Sequence, residues 1–429
     1  MRLNSARFGW AFLFLVVAAD GLAQGATSPA VEQEGSLRTE TLVQGRVPLI
    51  GRGYRLASET PVRDFMGRYR IESDLGSLEA VGLEELEQRV QELPAARRLL
   101  ALERSDTFAK AMTDGAKAAG QAVVKVVTRP GETLAALPAG LGQALVAAGR
   151  RVRNVATSIG DATRRDDTAP ARPAEPRDDA AAVYDFAKEL AGVNKARRAI
   201  AKDLGIDPYT RNPLVAEKLT SLAWAAVAGG FSLDLALSAV PDGARETLGT
   251  AGQLNQLAWE LPPADVRYQL EQRLSRRGHE GFVARELLRN PAFSPTDQIA
   301  LVETLERIGV VTGEREVITL ATGLPDPHHA RFLIGQLRTL ADADSRQAID
   351  AYGMADGLVW GKHRDGSVLV PLPVDHLSWT APLAAALAAP ARSGASLGVV
   401  KVSGSVSPMA RQRLQAAGWR VDARVASAQ

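Results

Sequence analysis

The chain contains no cysteine among its 429 residues. This absence excludes a disulfide scaffold, thiolate zinc sites, iron–sulfur clusters and a cysteine nucleophile. Beyond the first 25 residues the sequence also has no charge-free apolar run that approaches the roughly 20 residues of a membrane-spanning helix. We therefore expect no transmembrane span once the N-terminal segment is removed.

Neither sign of charge is in excess, since 51 Lys and Arg face 49 Asp and Glu for a net charge of +2. This balance gives no general reason to expect nucleic acid as a partner. A hydrophobic content of 46% is typical of globular proteins and excludes a disordered chain or a polytopic membrane protein. The length suggests two to three domains at roughly 100–200 residues each.

Residues 1–25 have the order of a secretory signal peptide. Arg2 and Arg7 form a positive n-region, and Trp10–Ala19 is an apolar h-region. Small residues follow at Gly21, Ala23 and Gly25. We therefore expect a Sec-type signal without a lipobox, and a protein that is periplasmic or secreted.

Three segments are predicted between the signal and residue 182. Residues 42–110 form an N-terminal hairpin–helix segment, because Tyr69–Asp74 and Ser77–Val81 alternate around Leu75-Gly76 before an apolar helical pattern. Residues 111–162 are Ala/Gly-rich and basic, with an apolar seam at helical spacing that predicts amphipathic helices. Residues 163–182 lack large apolar side chains, which indicates a Pro-rich linker.

The remainder divides into a helical part and a mixed part. Residues 183–350 are predicted as an all-helical domain, since helical period is combined with Pro in first turns. Residues 354–427 are predicted as a C-terminal α/β module, because the hairpin signal Asp365-Gly366 precedes a strand–helix–strand pattern. The predicted fold class is therefore mainly α: a multi-helical domain, a small C-terminal α/β module and a short N-terminal β-hairpin/helix segment.

Three strings carry a family resemblance: PGETLAALPAGLG (130–142), LGIDPYTRNP (204–213) and VSGSVSPMAR (402–411). With the general organisation, they resemble exported bacterial proteins that carry no assigned activity. The resemblance implies export and transfers no catalytic residue.

The common catalytic signatures are missing from the sequence. There is no Gly-x-Ser-x-Gly nucleophile elbow and no His-Glu-x-x-His zinc motif. Gly361-Lys362 lacks the upstream Gly of a P-loop, and Gly140-Leu-Gly142 lacks the third Gly of a dinucleotide site. No catalytic residue can be assigned, and we expect no cofactor and no metal.

The best small-ligand candidate lies between a predicted strand and a helix start near the C-terminus. Backbone N–H groups there could hold a phosphate or carboxylate, together with an anion-binding set made of Ser403, Gly404, Ser405, Ser407 and Arg411. The alternative is that Ser407 only caps the helix that begins at Pro408.

A second candidate is the rigid connector between two predicted helices. Tyr209, Arg211 and Asn212 in this connector are able to face solvent and form an interaction loop. The alternative is a tight helix–helix turn shaped by its two prolines.

The histidines offer weaker candidates. His328 and His329 follow Asp326, which suggests either metal ligands or an N-cap before Pro327. His363 and His376 flank the predicted C-terminal hairpin and could approach each other.

The leading functional hypothesis is a non-catalytic, exported envelope binding or scaffold protein, whose partner is another envelope protein or a peripheral membrane surface. One alternative is a periplasmic enzyme, a hydrolase with its site between the helical domain and the C-terminal sheet. The other is a membrane-surface-associated protein that acts through the basic residues of 110–165.

Overall fold

The computed structural model describes residues 31–110, 192–228, 252–279, 281–344, 349–392 and 396–423. The predicted signal peptide, the basic tract 111–162 and the linker 163–182 lie outside these ranges. The described part contains two large sheets, one near each end of the chain, with helices between them in sequence.

The N-terminal sheet has six antiparallel strands in the order β1-β4-β5-β3-β2, with β6 also paired to β5. Its apolar face includes the fully buried Tyr69 and Ile71. The strands are β1 (Ser36–Arg38), β2 (Ile50–Gly51), β3 (Tyr54–Leu56), β4 (Glu59–Arg63), β5 (Met66–Ser73) and β6 (Gly76–Val81).

Two helices belong to this N-terminal part. The short helix α1 (Thr39–Val43) follows β1, and the long helix α2 (Leu83–Glu103) follows the β5–β6 hairpin. Leu42, Leu86 and Leu93 pack with the apolar face of the sheet in one core. The second half of α2 instead packs against helices of the central part.

Eight helices make up the described central part. Sequence explains several of the starts, since Pro occupies first-turn positions, and Ser294 and Asp297 form a capping box. The helices are α3 (residues 192–204), α4 (Pro213–Ala228), α5 (Gly252–Glu260), α6 (Pro263–Arg276), α7 (Phe282–Arg289), α8 (Pro295–Ile308), α9 (Glu314–Thr322) and α10 (Pro327–Asp344).

The C-terminal sheet has five strands in the order β13-β11-β9-β8-β7 and a separate parallel pair, β10 and β12. Strands β9, β11 and β13 are parallel, whereas β7, β8 and β9 are joined antiparallel. The strands are β7 (Ile349–Ala355), β8 (Leu358–His363), β9 (Ser367–Leu372), β10 (His376–Leu377), β11 (Ser396–Val402), β12 (Ser405–Val406) and β13 (Arg420–Ala423). The helices are α11 (Ala381–Arg392) and α12 (Pro408–Ala416).

The predicted fold class is wrong. The chain is not mainly helical with a small sheet module, because six strands in the N-terminal sheet and five in the C-terminal sheet flank the helices. The predicted hairpin is present as β5 and β6, but β1 to β4 are only two to five residues long. Strands of this length give too few alternations to be recognised, and tertiary pairing forms them.

None of the helices in the described ranges combines the length and apolarity needed to cross a bilayer.

Candidate functional site

A buried carboxylate joins the two sheets, and we name its surroundings the Asp375 junction. One oxygen of Asp375, Oδ2, accepts hydrogen bonds from Gly67 N at 2.8 Å and from the Tyr69 hydroxyl at 3.1 Å. The other oxygen, Oδ1, accepts from Leu83 N at 2.9 Å. Burial raises the pKa of Asp375, and these donors oppose the rise. The carboxylate thus fixes the start of α2 and of β5 to the C-terminal part.

The β4–β5 turn at this junction has unusual backbone geometry. Asp64 and Phe65 both lie in the left-handed region, with φ of 52° and 65°. Such a two-residue turn normally contains Asn and Gly, because a side chain with positive φ is strained. The Glu34 carboxylate accepts from Asp64 N at 2.8 Å and from Phe65 N at 2.6 Å. The N–H groups of Asp375 and His376 both donate to the Phe65 carbonyl, at 3.1 Å. The turn is held from both sides.

Residues 31–35, just before β1, reach the C-terminal strands. The Glu32 N–H donates to the Trp379 carbonyl at 2.8 Å, and Glu32 Oε2 accepts from Trp379 N. The same oxygen accepts from the Ser407 hydroxyl. These contacts seat this segment against the start of α12.

His376 pairs with Ser405 rather than with His363. Nδ1 of His376 and Oγ of Ser405 are 2.7 Å apart, and Ser405 Oγ also lies 3.3 Å from the Asp375 carbonyl. A hydroxyl has one hydrogen, so it can satisfy both contacts only by donating to the carbonyl and accepting from Nδ1–H. This tautomer leaves the Nε2 lone pair of His376 free to accept. Burial lowers the pKa of His376, which favours the neutral ring, while Glu32 and Glu34 oppose the shift.

An open cavity of about 320 Å³ lies beside this imidazole, and we name it the His376 groove. Its volume is at the lower end of the range for small-ligand sites. Polar and apolar side chains both line it, among them Glu32, Gln33, Leu37, Val62, His376 and Ser378. No residue in the part of the chain described here donates to Glu32 Oε1 or contacts His376 Nε2 within hydrogen-bond distance.

The predicted anion loop adjoins this groove, and its backbone is engaged in strand pairing. The N–H groups of Ser403, Ser405 and Ser407 donate to the carbonyls of Leu372, Asp375 and Leu377. A Cβ on Gly404 would lie 2.0 Å from the Asp375 carbonyl oxygen, so only glycine fits there.

Ser407 caps α12, because its Oγ accepts from Ala410 N at 2.9 Å. Arg411 lies in the first turn of the same helix. The negative group that reaches Ser407 is the Glu32 carboxylate. Binding of an external anion by this loop stays a prediction.

The predicted interaction loop lies inside the molecule rather than facing solvent. Asn212 is 0% exposed, and Tyr209 and Arg211 are half-buried. Arg211 donates to the Ala292 carbonyl at 2.9 Å. This connector therefore packs against the helices around it.

Among the described residues, no group of three or more His, Asp and Glu side chains is placed to hold a metal ion. Asp326 caps the helix that begins at Pro327, because its Oδ1 accepts hydrogen bonds from the N–H groups of His328 and His329. Burial acts to raise the pKa of Asp326, but the hydrogen bonds and charge of His329 and the His328 N–H together lower it.

Sequence reasoning missed Glu32, Glu34 and Asp375. Their only signal is a pair of acidic residues two apart in a polar segment, and an aspartate after Pro371-Leu-Pro-Val374. Neither pattern identifies the partners of these residues, which lie between 30 and 375 residues away. No family model, no curated protein and no solved structure matches this chain.

Proposed function

We propose that the protein is an exported envelope binding protein and that it takes a basic side chain of an extended partner segment in the His376 groove. The observation that carries this proposal is the set of free acceptors beside an edge strand. Export is supported by the order of residues in the N-terminal 25 positions, and the location is periplasmic or secreted.

The electrostatics of the groove favour a cation. Glu32 and Glu34 are the charged groups that act on His376, and both are negative. Glu32 Oε1 and His376 Nε2 are acceptors without a donor in the described structure. A Lys ammonium or Arg guanidinium supplies donors only and therefore complements this lining.

The backbone of β1 offers a second contact for an extended segment. β1 lies at one end of the sheet order and pairs with β4. Gly35 O accepts from Val62 N and Thr39 N donates to Ser58 O, so the alternate residues Ser36 and Arg38 direct their backbone groups away from β4. A partner strand that adds to this edge would place alternate side chains toward the groove.

The test is a titration with a short extended peptide that carries a central Lys, against the same peptide with a central norleucine. We expect the Lys peptide to bind at least about tenfold more tightly. His376→Ala should remove most of this preference, whereas the control His329→Ala on α10 should retain it. Equal binding of the two peptides, or an unchanged preference in His376→Ala, would contradict the proposal.

A hydrolase is the second candidate, and the His376–Ser405 hydrogen bond is the observation that favours it. With Nδ1–H directed to Ser405, His376 Nε2 could take a proton from a water molecule in the groove. Turnover of a chromogenic ester or amide that is lost in His376→Ala and kept in His329→Ala would favour this enzyme over the binding protein. The membrane-surface alternative concerns residues 110–165 and is tested by vesicle flotation.

A further inference from the structure

A second polar cluster lies under residues 205–212, the connector between α3 and α4, where three hydrophobic cores meet. Tyr209 packs against the core of the central helices, and Ile206 belongs to the core shared by α2, α3 and α4. Leu214, just after the connector, packs on the core of the N-terminal sheet. We name as the connector cluster the residues Arg89, Glu92, Arg197, Arg198, Arg211 and Asn212.

The helix α2 contributes charges along one buried stripe. Glu85, Arg89 and Glu92 are spaced by four and three residues, and each is at least nine-tenths buried. Arg89 is paired with Glu85 at 2.6 Å, and Arg331 of α10 approaches the same carboxylate at 3.3 Å. Glu85 is therefore neutralised, while Glu92 has no ion pair of this kind among the described residues.

The connector is held in place by a carboxylate of its own. Asp207 Oδ1 accepts from Tyr209 N at 2.8 Å and from Thr296 Oγ1 at 2.7 Å. Arg211 lies 3.8 Å from Asp297 and donates to the Ala292 carbonyl. These contacts fix the backbone from which Arg211 and Asn212 project.

The members of the connector cluster are electrostatically coupled. Burial raises the pKa of Glu92, and the adjacent Thr210, Asn212 and Arg89 oppose the rise. Burial lowers the pKa of Arg197, and Asp207 and Tyr209 oppose that shift. Glu92 of α2 is thus linked to the connector through Thr210 and Asn212, and Arg197 of α3 through Asp207 and Tyr209.

Buried polar atoms of the cluster lack partners in the part of the protein that the structure describes. The donors without an acceptor are Nε of Arg89, Arg197 and Arg198, Nη1 of Arg211 and Nδ2 of Asn212. On the acceptor side Glu92 Oε2 has no donor. Glu92 is 4% exposed, Arg198 7% and Asn212 0%. Burying such an atom destabilises the fold unless water or a ligand forms a hydrogen bond with it.

We propose that the connector cluster binds inorganic phosphate. Five N–H donors require a ligand rich in acceptor oxygens, and four of them belong to arginines, which suit phosphate oxygens. The single acceptor, Glu92 Oε2, requires one hydroxyl on that ligand. Phosphate carries a proton on oxygen near neutral pH, whereas sulfate and simple carboxylates carry none. Glu92 is then the group that admits phosphate and rejects sulfate.

The experiment is calorimetric titration of the full-length mature protein near neutral pH with inorganic phosphate, sulfate and glycerol 3-phosphate. We expect saturable phosphate binding, with sulfate at least about tenfold weaker. Glycerol 3-phosphate should bind more weakly than phosphate, because its second pKa of about 6 leaves it mostly without a hydroxyl near neutral pH. Equal affinity for glycerol 3-phosphate would contradict the role of Glu92. The absence of saturable phosphate binding, or equal affinity for sulfate, would overturn the proposal. Ordered water would then be the partner of the buried polar atoms.

Two variants assign the roles within the site. Arg198→Gln should weaken phosphate binding about tenfold or more, whereas the control Arg289→Gln on the surface of α7 should not. Glu92→Gln should abolish the preference for phosphate over sulfate, because its amide can donate to a ligand oxygen. Unchanged phosphate affinity in a folded Arg198→Gln protein would overturn the proposal. If Arg198→Gln does not fold, the proposal is tested by the preference of the wild-type protein for phosphate over sulfate and by the loss of that preference in Glu92→Gln. His376→Ala should bind phosphate normally, which separates this result from the peptide test.

Discussion

The Asp375 junction and the connector cluster both enclose charged groups between parts of the fold, yet they treat those groups differently. At the junction both carboxylate oxygens of Asp375 accept hydrogen bonds, three in all. In the connector cluster Glu92 and four arginines keep polar atoms without partners in the described structure. The satisfied carboxylate holds two parts of the fold together, whereas the unsatisfied atoms are the ones that we assign to a bound phosphate.

Removing Asp375 is the strongest test of the junction. Asp375→Ala should lower the free energy of unfolding by about 3–5 kcal/mol, because two buried backbone N–H groups and the Tyr69 hydroxyl lose their acceptor. Urea denaturation measures the change. Tyr69→Phe, which removes only the hydroxyl contact, should cost about 1 kcal/mol. If Asp375→Ala lowers the free energy of unfolding no more than Tyr69→Phe does, Asp375 does not hold the two parts of the fold together.

Replacing Asp207, a second buried aspartate, should instead stabilise the protein. Burial raises the pKa of Asp207 from 3.8 to about 6. A raised pKa means that the stabilising contribution is complete below the unfolded value and is lost as the pH rises through about 6. Asp207→Asn keeps an acceptor oxygen for Tyr209 N and Thr296, so it should be more stable than wild type near neutral pH by up to about 3 kcal/mol.

Denaturation curves between pH 4 and 7 check this prediction, with the gain of Asp207→Asn growing as the pH rises. The control is Asp265→Asn, which makes the same change at an exposed position of α6. A gain that is constant across the pH range would show that ionisation of Asp207 is not its cause.

Glu34 tests how far the β4–β5 turn depends on the segment before β1. Glu34→Gln replaces one acceptor oxygen by a donor that faces an N–H group of the turn, and should cost about 1–2 kcal/mol. Glu72→Gln on the exposed face of β5 is the matched control. Equal unfolding midpoints for the two variants would argue against this role of Glu34.

The smallest effect is expected from the turn itself. Asp64 is exposed and has φ of 52°. Asp64→Gly should stabilise the protein by about 0.5–1 kcal/mol, because glycine adopts this conformation without strain. A destabilised Asp64→Gly protein in the same denaturation assay would mean that the turn is not strained.

The local parts of the fold could be predicted from the sequence, and the non-local parts could not. The β5–β6 hairpin, the cap at Ser407 and the turn at Asp365-Gly366 depend on neighbouring residues and are present. The strands β1 to β4 are too short to show a period. β3 and β4 pair with the long strand β5, and β2 and β1 pair in turn with β3 and β4.

The candidate sites could be predicted only in part, for the same reason. Turn composition singles out the serines of 403–407 and the connector residues 209–212 in the sequence. Their surroundings could not be predicted, since Glu32, Glu92 and Asp375 come from distant elements. Local composition predicts where the chain turns, but tertiary packing determines which distant residues contact the turn.

The long separations at the Asp375 junction have a consequence for the order of folding. Asp375 lies 308 residues from Gly67 and 292 residues from Leu83, and Glu32 lies 347 residues from Trp379. A nascent chain therefore emerges with an N-terminal sheet whose anchoring acceptor has not yet been synthesised. Contacts of such separation form slowly. Until Asp375 is synthesised, the N–H groups of Gly67 and Leu83 lack this acceptor, and the sheet is open to misassembly.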